Sequence, residues 1–91
     1  VIVYGSQARV RFGNKVNITA LGGKAPHTFT VEGGGSFTNT QTSSETTTTE
    51  YTAPSQLEYA GVEETYIIIT AKDANNRTRQ MALVVSTTDG R

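Results

Sequence analysis

Glu64-Thr65-Tyr66-Ile67-Ile68-Ile69-Thr70-Ala71-Lys72, followed by Asp73-Ala74-Asn75-Asn76-Arg77 and then Thr78-Arg79-Gln80-Met81-Ala82-Leu83-Val84-Val85-Ser86, decides the fold of this chain. A helix would need apolar residues three and four apart, whereas these alternate and are dominated by β-branched side chains. Ile67, Ile69 and Ala71 share one face of the first segment, and Tyr66, Ile68 and Thr70 share the other. Met81, Leu83 and Val85 alternate with Ala82 and Val84 in the second. The residues between them are turn formers, and Asn tolerates the left-handed backbone that tight hairpins require. The stretch therefore predicts an antiparallel hairpin of strands 64–72 and 78–86.

Working outward, the same period of two recurs. Ala8, Val10 and Phe12 alternate with Arg9 and Arg11, and Val16, Ile18 and Ala20 alternate with Asn17 and Thr19. Gly22-Gly23 then makes a turn into His27-Thr28-Phe29-Thr30-Val31, a strand expected to point Phe29 and Val31 inward, and Gly33-Gly34-Gly35 ends it. Residues 36–50 are Ser/Thr-rich, a composition shared by linkers. Threonine is β-branched and suits a pleated, half-exposed surface, so the reading adopted is a strand over 46–52 carried by Tyr51, with Phe37 in a short strand or loop packed under the domain. Ala53-Pro54 stops that strand, because proline cannot donate to a sheet ladder. A polar connection runs to Gly61. About seven short strands with turn signals every ~8–12 residues predict an all-β, two-layer antiparallel sandwich. Its expected core is Val16, Ile18, Phe29, Val31, Ile67, Ile69, Leu83 and Val85.

Composition sets the bounds. The chain has 91 residues, 35% hydrophobic, with 16 threonines, so residues 1–91 are read as one domain with a sparse core. Eight basic and eight acidic residues cancel, which removes the electrostatic footprint of a nucleic-acid or polybasic membrane binder. The absence of cysteine excludes disulfides, thiolate catalysis and iron–sulfur clusters. The apolar runs, such as Tyr66 to Ile69, are far short of the ~18 residues that span a bilayer, so no membrane insertion is expected. The opening Val1-Ile2-Val3-Tyr4 has no basic leader, and the domain reads as excised from a larger multidomain protein.

The order of punctuation carries a resemblance. Leu21-Gly22-Gly23-Lys24-Ala25-Pro26-His27-Thr28-Phe29-Thr30-Val31, a Gly-rich turn, Tyr51-Thr52-Ala53-Pro54 and Ile67-Ile68-Ile69-Thr70-Ala71-Lys72-Asp73 follow one another. This series, from about Ala8 to Val85, resembles the bacterial immunoglobulin-like repeats of adhesins and other large surface proteins. The departures are His27, where an aromatic is usual, and the lack of Trp near Phe29. The resemblance implies an immunoglobulin-like sandwich and a non-catalytic spacer of a bacterial extracellular or cell-surface protein. It would be a monomeric module in tandem with neighbouring domains of the same chain, supporting adhesion or display. The alternatives are an immunoglobulin-like module that binds carbohydrate or a host protein, and a phage appendage domain. For a binding module the candidate surface is Tyr4, Tyr59 and Tyr66, because Tyr and Arg dominate recognition hot spots and Arg9, Arg11, Arg77 and Arg79 lie nearby in sequence.

No residue set predicts catalysis, a cofactor or a metal. His27 is the sole histidine, no Gly-x-Ser-x-Gly elbow is present, and His27 reads as a strand-entry residue packed beside Pro26. Glu58, Glu63 and Glu64 form the one local carboxylate cluster and read as solvated loop residues. Gly33-Gly34-Gly35 lacks the Gly-Lys-Ser/Thr of a phosphate loop. Asp73-x-Asn75 begins like a calcium loop, but Arg77 takes the next alternate position and the only other aspartate is Asp89. Lys15 and Lys72 could offer an amine to an isopeptide bond, yet the last strand contains no Asn or Asp. Asn17-Ile18-Thr19 and Asn76-Arg77-Thr78 match the glycosylation sequon, a match that a Thr-rich chain makes readily.

Overall fold

A computed structural model describes residues 1–87; Asp89 lies outside them. They form eight strands: β1 (Ile2–Gly5), β2 (Arg9–Arg11), β3 (Lys15–Leu21), β4 (Thr28–Glu32), β5 (Ser36–Ser43), β6 (Thr46–Thr52), β7 (Glu64–Lys72) and β8 (Thr78–Ser86). One sheet has the order β1-β3-β6-β5 and the other β2-β8-β7-β4. Four strands face four in a two-layer β-sandwich, with the N-terminal part of the chain divided between the layers. The hairpin β7–β8 has the boundaries expected from its alternation, and the Thr-rich β6 those expected from its β-branched composition.

Side-chain period and burial agree along the central strands. Val16, Ile18 and Ala20 of β3, Tyr51 of β6, Ile67, Ile69 and Ala71 of β7, and Leu83 and Val85 of β8 are all buried between the sheets. Val3 and Val10 add one side chain each from β1 and β2. The hairpin turn is closed by Asn76 at φ 66°, the left-handed position its chemistry suits.

Four expectations need correcting. Phe29 and Val31 are half-buried, packed against the core but not within it, because β4 is an edge strand of its sheet. Phe37 does not sit in a short piece: it is the second residue of the eight-residue β5, where its inner position follows from pairing with Tyr51. The first four-residue strand, β1, was not expected, since Val3 is its one buried side chain and alternation over so few residues carries little signal. Finally the sandwich is mixed. β1 pairs antiparallel with β3, and the chain then crosses to the other layer, where β2 runs parallel to β8.

This crossing positions both ends of the described chain. Val1 lies beside Gly22 and Gly23, at the end of the sandwich where β3 finishes. At the opposite end Phe12 N–H donates to Ser86 O (3.0 Å), Gly13 N–H to Pro54 O (2.9 Å) and Thr87 N–H to Glu63 O (3.0 Å). The molecule measures 40 × 20 × 18 Å.

Candidate functional site

The polar side chains with most partners lie at the end of the sandwich that holds Gly22, His27 and Asp73. His27 is buried. Its Nε2 lies 2.8 Å from Gly22 O, and a carbonyl can only accept, so Nε2 carries a proton. In the neutral imidazole Nδ1 then accepts from Thr47 Oγ1 at 3.0 Å. Thr47 in turn accepts from the His27 backbone N–H (3.0 Å) and from Thr42 Oγ1 (3.1 Å). The histidine is thus a fully satisfied strut between the β3–β4 turn and β6, a structural role in keeping with its place at a strand entry.

Asp73 makes the calcium reading concrete and gives it a different outcome. It is buried, and its carboxylate accepts the backbone N–H groups of Lys24 (3.0 Å), Asn75 (3.0 Å) and Arg77 (2.8 Å). Burial alone would push its pKa up, but the N–H groups of Arg77, Lys24 and Asn75, with the Arg77 guanidinium, outweigh that and hold the carboxyl below its ordinary value. The oxygens a cation would use are already bonded to the two turns that Asp73 joins. Gly23, at φ 66°, must be glycine here because a β-carbon would overlap the Asp73 carboxylate.

Two glutamates of the local cluster, Glu58 and Glu64, are likewise engaged in the fold. Glu58 accepts the Ser55 N–H at 3.0 Å and closes the short 3₁₀ turn Gln56–Tyr59, and Glu64 pairs with Arg9 at 2.6 Å. Lys15 pairs with Glu50 at 3.4 Å.

The three tyrosines are not brought together. Tyr4 is half exposed on the outer face of the β1-β3-β6-β5 sheet, and Tyr66 is exposed on the outer face of the other. Tyr59 stands on the 3₁₀ turn, where its ring packs against Phe12 at 5.7 Å and its hydroxyl donates to Gly33 O. Tyr59 therefore helps to hold the glycine triplet, as does Tyr51, whose hydroxyl donates to Gly34 O at 2.7 Å.

On the same outer face as Tyr4, whose register partner Thr19 lines it, lies a hollow that sequence reasoning did not find. It is an open depression of about 490 Å³ on the outer face of the first sheet, lined by Asn17, Thr19, Asn39, Gln41, Thr48, Thr49 and Glu50. A β-bulge shapes it: Thr38 faces Glu50 and Gln41 faces Thr48, leaving Asn39 and Thr40 opposite the single residue Thr49. Thr49 Oγ1 donates to Thr38 O (3.1 Å) and therefore accepts from Thr40 Oγ1 (2.9 Å), pinning the bulge from inside. Asn39 takes the left-handed conformation, φ 54°. The only signal in the sequence is that Asn39 interrupts a Ser/Thr run, and Asn is the residue that tolerates this backbone.

Comparison with known protein families, with curated proteins and with solved structures finds no match for this chain.

Proposed function

We propose that this domain is a non-catalytic spacer, one module in a series within a bacterial extracellular or cell-surface protein, whose work is to hold a neighbouring domain at a distance under load. One observation carries the reading: the chain runs in at one end of a 40 Å body and out at the other, with β2 lying parallel to β8. Domains joined before β1 and after β8 would emerge from opposite ends, so a series of modules adds its long axes. Pulling those ends apart drags β2 and β8 in opposite directions along their shared ladder, Arg9↔Val84, Val10↔Val85 and Arg11↔Ser86. Its bonds are then loaded together in shear instead of opening one at a time. The flanking Ala8 O to Val84 N–H (3.1 Å) and Phe12 N–H to Ser86 O (3.0 Å) bonds extend that clamp. The filled hydrogen bonds of buried His27 and Asp73 fit a module built to stay folded.

Single-molecule extension of a chain of identical modules, held at its termini, tests this. Val10→Pro, which deletes an N–H from within β2, should lower the unfolding force far more than Phe29→Ala, a stability-lowering change away from the clamp. Equal loss of force in two variants matched for equilibrium stability would overturn the load-bearing reading, as would a wild-type domain that extends without a distinct unfolding step.

A further inference from the structure

The hollow on the outer face that carries Tyr4 is the feature that the spacer reading leaves unused, and it is independent of the β2–β8 clamp. Strand register sets its surroundings. Tyr4 pairs with Thr19, Thr19 with Thr48, and Thr48 with Gln41, so these four side chains form one row across all four strands of the sheet. Adjacent strands are ~4.8 Å apart, which makes the row roughly 14 Å long. Asn17 and Glu50, paired with each other, lie in the next row, and the bulge adds Asn39 at the edge.

The chemistry of the lining is specific in kind. Asn17, Asn39 and Gln41 offer amides that both donate and accept, Thr19 and Thr48 offer hydroxyls that do the same, and Glu50 accepts only. Glu50 is matched by Lys15 and by the Thr38 hydroxyl (3.4 Å), so the region carries no net charge to draw a polyanion. A purely apolar ligand would desolvate these groups without return, and a charged one would find only charges already paired with each other, Lys15 and Glu50. A ring with an apolar C–H face and a rim of hydroxyls suits both parts: its face stacks on the exposed Tyr4 ring and its hydroxyls exchange hydrogen bonds with the amides and threonines. The volume lies within the ~300–1,000 Å³ of ordinary small-ligand sites. The bulge that shapes the hollow is itself held by a buried threonine, so the concavity is preformed.

We infer that the outer face of the β1-β3-β6-β5 sheet is a binding site for an uncharged oligosaccharide, with Tyr4 as the stacking platform and Thr19, Thr48, Gln41, Asn39, Asn17 and Glu50 as its hydrogen-bonding floor. The site is open along the row, so it takes an internal segment of a linear chain. Affinity comes from one aromatic contact and several solvent-exposed hydrogen bonds, and it belongs in the weak range that becomes effective through repetition along tandem copies.

Amide chemical-shift titration of the isotope-labelled domain tests this, with cellohexaose, xylohexaose, mannohexaose and chitohexaose as separate probes and a heparin hexasaccharide as the charged comparison. At least one uncharged probe should give saturable shifts at residues 17, 19, 39, 41, 48 and 50. Tyr4→Ala and Gln41→Ala should each weaken that binding roughly tenfold or more, Tyr4→Phe should retain most of it, and Tyr66→Ala on the opposite face should leave it unchanged. The amide spectrum of each variant establishes that it is folded. No saturable shift with any uncharged probe at ~10 mM overturns the proposal. Binding confined to the heparin probe, or shifts that vanish with Tyr66→Ala and persist with Tyr4→Ala, overturn it equally.

Discussion

Replacing Tyr51 by Phe and by Ala separates two contributions of the central side chain of β6. Tyr51 is fully buried, its ring lies 5.4 Å from that of Phe37, and its hydroxyl donates to Gly34 O at 2.7 Å. Gly35 passes so close that a β-carbon there would overlap the ring. Phe keeps the ring and deletes the donor, leaving the Gly34 carbonyl without it, so Tyr51→Phe should cost about 1–2 kcal/mol. Tyr51→Ala also empties the space between the layers and should cost about 3–5 kcal/mol, a large part of the ~5–15 kcal/mol typical of a domain. Urea denaturation followed by far-ultraviolet circular dichroism at neutral pH measures both. The same hydroxyl has a pH signature. Burial, reinforced by Tyr59 and Glu58, pushes the phenol pKa well above its ordinary 10.0. Above that value the unfolded chain loses a proton that the folded chain keeps, so this contribution is complete below pH 10.0 and is lost as pH rises past it. Tyr51→Phe should flatten that alkaline loss. A Phe variant within ~0.5 kcal/mol of wild type, or one as unstable as the Ala variant, would refute the division between ring and hydroxyl.

Ile69→Ala, at a fully buried position in the middle of β7, should cost about 2–4 kcal/mol by denaturant titration, and a loss under ~1 kcal/mol would show that the interlayer core is not centred there. Asp73 carries an acid-side signature of opposite sense to that of Tyr51. Its lowered pKa means that its contribution is present above the ordinary 3.8 and is lost as pH falls through the native value, so thermal midpoints measured across that range should drop in wild type and drop less in Asp73→Asn. Identical acid profiles would remove Asp73 from the turn-locking role.

Much of this architecture was determined by the sequence alone, and the reason is local. Glu64–Lys72 and Thr78–Ser86 place their larger apolar side chains on one face at a period of two, and the β-branched threonines of Thr46–Thr52 favour a strand by composition. Asn76 and the glycines before and after β4 announce turns by backbone chemistry that depends on no partner. What tertiary structure decided is which strands lie at the edges and which residues meet. Phe29 and Val31 alternate as cleanly as Ile67 and Ile69, yet they remain half-buried because β4 has a neighbour on one side only. The transfer of the chain from β1 to a parallel pairing with β8 depends on residues some 75 positions apart (Arg9 with Val84), and no local pattern encodes such a contact. Asp73 reads in isolation like the start of a cation loop, and only the approach of Lys24 N–H from another turn turns it into a structural acceptor. The hollow on the outer face that carries Tyr4 is the furthest from the sequence. It joins side chains from β3, β5 and β6, set by their register and by a bulge whose extra residue follows from strand pairing rather than from any motif.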